Sequence, residues 1–61
     1  MGHYDADVEA RMKAFYESLS EKDRRRYAAV EAAKLDHGGV EYVAAVLGCH
    51  PQTIRQGRDD L

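Results

Sequence analysis

The polar side chains best suited to bind a ligand lie close together in the last twelve residues of the sequence. They combine imidazole, amide, hydroxyl and guanidinium groups, on His50, Gln52, Thr53, Arg55, Gln56 and Arg58. A Gln amide can pair bidentately with adenine and an Arg guanidinium with guanine in the major groove, while a Thr hydroxyl can hold a phosphate. These six residues are therefore the predicted contacts to double-stranded DNA.

The spacing around these residues predicts a helix-turn-helix over 40–61. Ala44 is followed by Gly48 four residues later and by Ile54 six residues after that. A small Ala lets a second helix cross closely, Gly48 can take the left-handed conformation that ends a helix, and Ile54 can anchor the second helix in the core. Two helices joined by a short turn that contains Gly form this motif.

The second helix of the motif has a predicted inward and outward side. His50 is the expected N-cap, and Pro51 occupies the first helical position, where its missing N–H costs nothing. With Ile54 inward, Gly57 and Leu61 fall on the same side. Gln52, Arg55 and Gln56 then point outward, with Thr53 and Arg58 on the flanks. A Gly at position 57, where such motifs usually carry an apolar residue, predicts close packing against another helix.

Two further helices are predicted upstream. The first carries one apolar stripe, which we expect to be core: Val8, Met12, Phe15, Tyr16 and Leu19. A dimerisation or partner surface is the alternative for this stripe. Ser20 resembles the N-cap of a capping box and opens the second helix. His37, Gly38 and Gly39 are expected to end it.

The chain is therefore expected to be all-α, a small four-helix domain with helices over about 5–19, 21–36, 40–47 and 51–60. Residues 1–4 are expected to be disordered or an appended remnant, and residues 5–61 to form the single domain. A chain of 61 residues buries only about three-fifths of its unfolded surface. That leaves no room for a deep catalytic cleft beside a core.

Several classes of function are disfavoured by composition. No apolar run reaches membrane-spanning length, and no signal-peptide pattern is present. The single cysteine favours the reducing cytoplasm. Cys49 is expected to be a buried hydrophobe, since it lacks zinc-ligand spacing to His37 and His50. We expect no enzyme activity, no catalytic residue, no metal or other cofactor and no small-molecule substrate.

The charge distribution predicts weak DNA binding. The formal net charge is −2, whereas DNA-binding domains are usually basic because phosphate contacts dominate affinity. The acids are concentrated in residues 1–23, and residues 24–61 are close to neutral. Arg24, Arg25 and Arg26 point in three directions if helical. One or two of them can touch phosphates; equally, all can be solvated beside the acids of the first helix.

The segment from Leu19 to Leu61 resembles the N-terminal region of a family of bacterial insertion-sequence transposases with a DDE-type catalytic domain. The matching features are Ser20-Glu21-Lys22-Asp23-Arg24-Arg25, Gly38-Gly39-Val40, Leu47-Gly48, Thr53-Ile54-Arg55, Gly57 and Asp60-Leu61. The resemblance implies a helix-turn-helix that binds the terminal repeats of the element. It does not extend to a catalytic domain. His50, Pro51 and Gln56 depart from the pattern, which favours small polar and basic residues there.

Two functions remain open at this stage. The first is a sequence-specific DNA-binding domain from a transposase-like protein or a small regulator, which binds weakly on its own. The second is a helical protein-interaction module that keeps the helix-turn-helix scaffold without binding DNA. The negative net charge and the acidic first helix favour this second function. A homodimer through the helix over 5–19 is compatible with either.

Overall fold

A computed structural model describes residues 4–35 and 38–61. It contains four helices: α1 (Ala6–Ser18), α2 (Glu21–Ala33), α3 (Gly39–Leu47) and α4 (Pro51–Asp60). The predicted all-α, four-helix fold with a helix-turn-helix is confirmed. The prediction that α2 continues beyond Ala33 is wrong for residues 34 and 35, which are described and are not helical. Residue 36, the predicted role of His37 and residues 1–3 lie outside the described residues.

Side chains near the helix starts satisfy backbone N–H groups that have no partner within the helix. The Asp5 carboxylate accepts from the Val8 N–H at 3.4 Å, and the Ser20 hydroxyl accepts from the Asp23 N–H at 3.3 Å. Ser20 is therefore the N-cap of α2, as the sequence predicted. These caps fix where α1 and α2 begin.

The paired glycines open α3, whereas the sequence suggested that they close α2. Gly38 is the N-cap of α3, with a left-handed backbone at φ 82°. Gly39 is the first residue of α3, and a Cβ on it would lie 2.7 Å from the carbonyl oxygen of Ala32. The second glycine is therefore a point of close approach between α3 and α2, which sequence spacing could not distinguish from a C-cap.

The core is formed by small side chains of α2 and larger ones from the other helices. Its buried members are Met12, Ala28, Ala32, Val43, Ala44, Leu47 and Ile54. Because α2 contributes alanines at the centre, the neighbouring helices can pack close to its backbone. Within the described residues, α1 and α4 both pack on α2 and α3, but their backbones do not approach each other closely. No helix in this part of the chain is long and apolar enough to cross a membrane.

The prediction that the whole stripe of α1 is core is wrong for two of its residues. Met12 is buried, but Phe15 is 52% exposed and Val8 is 40% exposed. At about 100° per residue, both lie roughly 60° or less from Met12, on the edge of α1 that turns toward solvent. Phe15 instead packs edge-on against Tyr27, with ring centroids 5.1 Å apart.

Polar contacts complete the attachment of α1. The Arg24 guanidinium donates to the carbonyl oxygens of Tyr16 at 3.1 Å and Glu17 at 2.8 Å, at the C-terminal end of the helix. Near the start of the helix, the Tyr42 hydroxyl donates to the Glu9 carboxylate. That hydroxyl also accepts from the Tyr4 N–H at 3.2 Å. Tyr4 thus packs on the domain, although residues 1–4 were predicted to be disordered or an appended remnant.

Candidate nucleic-acid interface

The α4 helix has the predicted inward and outward sides over most of its length. Ile54 is 1% exposed, Gly57 is buried, and Gln52, Arg55 and Gln56 are exposed. Leu61 is an exception, because it is 67% exposed. It was expected on the side of Ile54, but α4 ends at Asp60, so the helical periodicity no longer positions the next side chain.

Gly57 lies directly against the backbone of α2. A Cβ at this position would collide with the carbonyl carbon and oxygen of Arg25 and would lie 3.2 Å from its Cα. The predicted close packing at Gly57 is therefore confirmed. Because the two backbones meet here, α4 is fixed against the N-terminal half of α2, and the exposed side of α4 has a defined orientation.

The turn that leads into α4 follows the predicted design. Gly48 ends α3 in the left-handed conformation at φ 74°. His50 is the N-cap of α4: its Nδ1 atom accepts from the Gln52 N–H at 3.0 Å, and Pro51 follows at the first helical position. The six predicted contact residues thus lie on α4 or directly before it. The turn that leads into α4 is fixed by Gly48 at one end and by the His50 cap at the other.

A cleft of about 370 Å³ lies between one flank of α4 and the start of α3. We call it the α3-side cleft; it is lined by Arg55 and Arg58 from α4, by residues 38–41, and by alanines of α2. The Arg55 guanidinium forms an ion pair with the Glu41 carboxylate at 3.8 Å, and both side chains are largely exposed. One of the two arginines in this cleft is therefore already partly neutralised.

A smaller cleft of about 200 Å³ lies along the opposite flank of α4. We call it the α2-side cleft; it is lined by Tyr16, Glu21, Arg24, Arg25, Thr53 and Gln56. The two clefts separate the predicted contacts into two groups: Arg55 and Arg58 face α3, whereas Thr53 and Gln56 face the arginines of α2. Gln52 lines neither cleft, and His50 lies at the start of the helix.

The three consecutive arginines of α2 have three different environments, as helical geometry predicted. Arg24 holds the end of α1 and lies over the Tyr16 ring, 5.6 Å from its centroid. Arg25 forms an ion pair with Asp60 at 3.3 Å. The Nε atom of Arg26 is buried without a hydrogen-bond partner in the described structure. Of the three, Arg25 has a partly exposed guanidinium beside α4. It was not one of the six predicted contacts, although the sequence left open that one or two of these arginines touch phosphates.

Sequence reasoning could not find the two ion pairs. Arg25 and Asp60 are 35 positions apart, and Glu41 and Arg55 belong to different helices, so no local pattern links them. For Asp60, the sequence indicated only that an acidic residue lies at the C-terminal end of a helix, where the macrodipole disfavours a negative charge. Its pairing with Arg25 compensates for that position.

Cys49 is partly buried against the core, close to its predicted place. Burial raises the pKa of the thiol, and a hydrogen bond with Tyr16 opposes this shift. The thiol is therefore protonated near neutral pH and is a poor nucleophile or metal ligand. Within residues 4–35 and 38–61, no group of three or more His, Cys, Asp or Glu side chains could hold a metal ion.

No protein-family model, curated protein or solved structure matches the chain.

Proposed function

We propose that the protein is a sequence-specific DNA-binding helix-turn-helix domain that inserts α4 into the major groove. The observation that carries this proposal is the exposed row of Gln52, Arg55 and Gln56 on a helix anchored by Ile54 and Gly57. An α-helix fits the width of the major groove, and rigid support from the core lets side chains meet base edges in a fixed register.

Each polar residue of α4 has a role that suits its position. Gln52 and Gln56 can pair with adenine, and Arg55 with guanine, because these side chains point away from the core. Thr53, Arg58 and His50 lie toward the flanks or the start of the helix, where the DNA backbone would pass, so they are assigned to phosphates. Phosphate contacts orient the helix, and base contacts select the sequence.

Weak affinity is part of the proposal. The net charge is −2, and both Arg55 and Arg25 are paired with carboxylates. The resemblance to the N-terminal region of DDE transposases supports a bacterial, cytoplasmic protein in which other segments or copies supply further affinity. Linked binding sites can raise the overall affinity without any new contact in this domain.

Selection of bound sequences from a random duplex pool tests the proposal and finds the target site. On that site, Arg55→Ala is expected to cost roughly 1–3 kcal/mol of binding free energy if Arg55 reads a guanine. Arg11→Ala is the matched control, because Arg11 is an exposed arginine on α1 that lines neither cleft. Equal affinities for the Arg55 variant and the native protein would remove the assignment of Arg55.

A second function, protein interaction or self-association through α1, is favoured by a different observation. Val8 and Phe15 on α1 and Val30 on α2 are large apolar side chains that are 40–52% exposed. Val8 and Phe15 lie on the same edge of α1, and exposed apolar side chains that share one surface are a common sign of a protein interface. Because the backbones of α1 and α4 do not approach each other closely, such an interface would leave the outward side of α4 accessible.

Two measurements separate the two functions. Titration with random duplex DNA at low and moderate salt should give salt-dependent binding if α4 binds DNA. Sedimentation of the native protein and of Phe15→Ser over a range of concentrations detects self-association. Association without DNA binding at either salt would favour the second function over the first.

A further inference from the structure

The α2-side cleft has the features of a binding site for one phosphate of the DNA backbone. It places Arg25 of α2 opposite Thr53 and Gln56 of α4. A helix is about 10–12 Å wide with its side chains, and the major groove is about 12 Å wide. A helix that fills the groove therefore has a sugar–phosphate strand along each flank, and the α2-side cleft is one of these flanks.

We infer that Arg25 and Thr53 bind a backbone phosphate in this cleft, and that Asp60 occupies the Arg25 guanidinium when DNA is absent. This inference rests on the proposed insertion of α4 into the groove. It adds a DNA contact on α2 and a competing carboxylate within the domain.

The contact between Arg25 and Asp60 is of a kind that a phosphate can replace. The Nε and Nη2 groups of Arg25 both donate to the same oxygen, Oδ2 of Asp60, at 3.3 Å. These distances are long for charge-assisted bonds, and both side chains remain about one-third exposed. A phosphate can instead accept from the two N–H groups with two separate oxygens, which is the stronger geometry. The Thr53 hydroxyl supplies a further donor on the opposite wall.

The other charged groups of the α2-side cleft contribute less. Arg24 already donates to the carbonyl oxygens of Tyr16 and Glu17, so it supplies positive charge without a free fork of donors. Glu21 also lines the cleft and offsets part of that charge. Arg25 is therefore the side chain whose removal should affect phosphate binding most.

The test measures binding of a random-sequence duplex by fluorescence anisotropy from about 50 to 200 mM salt. Over this range, phosphate contacts make the affinity decrease steeply with salt. Arg25→Gln should reduce the slope of log affinity against log salt by about 0.9, the value for one lost phosphate contact. Asp60→Asn should raise affinity roughly 1.5- to 5-fold, the gain from releasing one exposed ion pair. In the Arg25→Gln background, Asp60→Asn should raise affinity no more than Asp7→Asn does, because only the change in net charge remains.

The matched controls are two residues of α1 that do not line the α2-side cleft. Arg11→Gln and Asp7→Asn make the same charge changes at exposed positions, so they report the effect of net charge alone. Circular dichroism of each variant verifies that the helices are intact. If Arg25→Gln and Arg11→Gln have the same slope of log affinity against log salt while the native protein binds DNA, the inferred phosphate-binding site is wrong. The proposed function would then still stand. If the native protein shows no salt-dependent binding, both are wrong.

Discussion

The α1 and α4 helices both pack on α2 and α3, but they are held in different ways. Gly57 brings the backbone of α4 against the Arg25 carbonyl, and Ile54 of α4 is 1% exposed. In α1, Met12 is the single buried side chain, and Arg24 and Tyr42 attach the two ends through polar contacts. The helix proposed to read DNA is thus fixed by close packing, whereas α1 is fixed by contacts that water can partly replace.

The largest expected effect comes from Gly57→Ala. At an ordinary exposed helix position this change stabilises by about 1 kcal/mol, but here the new Cβ would meet the Arg25 carbonyl. We expect a loss of at least about 3 kcal/mol, which is comparable to the whole stability of a domain of this size, about 3–9 kcal/mol. Denaturant unfolding followed by circular dichroism measures it.

Ala45→Gly is the control for Gly57→Ala. Ala45 is exposed on α3, so this change should cost only about 1 kcal/mol through helix propensity. A Gly57→Ala protein as stable as the native one would show that α4 does not lie against the α2 backbone.

Truncating one apolar side chain on each helix compares their attachment directly. Ile54→Ala should cost roughly 2–5 kcal/mol, because it leaves a cavity in the core. Phe15→Ala should cost only about 1 kcal/mol, mainly the edge-on contact with Tyr27, since Phe15 is 52% exposed. Equal losses in the same unfolding experiment would contradict the difference between α1 and α4.

The polar attachment of α1 is tested by Arg24→Ala. Loss of its two bonds to the Tyr16 and Glu17 carbonyls should cost about 1–2 kcal/mol and should increase amide hydrogen exchange mainly in α1. Arg24→Lys keeps the charge but loses the planar fork of donors, so it should recover only part of the loss. Uniform exchange across all four helices would mean that Arg24 supports the fold as a whole.

Stability should also depend on alkaline pH, through Tyr27 at the α1–α2 contact. Burial, assisted by the Glu31 carboxylate, raises the pKa of Tyr27 to about 12. In the unfolded chain, tyrosine ionises near pH 10. The contribution of Tyr27 to stability should therefore be constant below pH 10, should decrease between about pH 10 and 12, and should then level off.

Unfolding midpoints of the native protein and of Tyr27→Phe from pH 9 to 12 measure this dependence. The variant should lose part of the alkaline decrease, because Tyr16 and Tyr42 also have raised pKa values and should keep the remainder. Phe15→Ala should lower the pKa of Tyr27 by exposing its ring. An identical alkaline decrease in native and Tyr27→Phe proteins would argue that Tyr27 is solvated, and α1 would then be more loosely held than described.

Local chemistry made much of the fold predictable. Ser20, Gly48 and the His50–Pro51 pair mark helix ends through their own backbone and side-chain preferences, so the helices could be placed within a few residues. Gly57 was informative because a glycine inside a helix is costly unless another backbone comes close. Each of these signals is contained within a few neighbouring residues.

The features that could not be predicted depend on tertiary contacts. Whether Phe15 is buried is decided by how far α1 is turned relative to Tyr27, and the apolar stripe does not specify that rotation. The role of Gly39 required the position of the Ala32 carbonyl. At the candidate interface, the exposure of the α4 side chains followed from the position of Ile54. The Arg25–Asp60 contact joins distant parts of the chain and became visible only in three dimensions.

The cap at His50 has a consequence for recognition at the start of α4. Because Nδ1 accepts from the Gln52 N–H, the neutral imidazole must carry its proton on Nε2. The capping bond therefore selects one tautomer, and the remaining ring nitrogen of this exposed residue is a hydrogen-bond donor. A partner that meets this corner has to offer an acceptor, such as a phosphate oxygen or the N7 atom of a purine. A partner that offers only a donor would have to break the cap of α4 in order to bind.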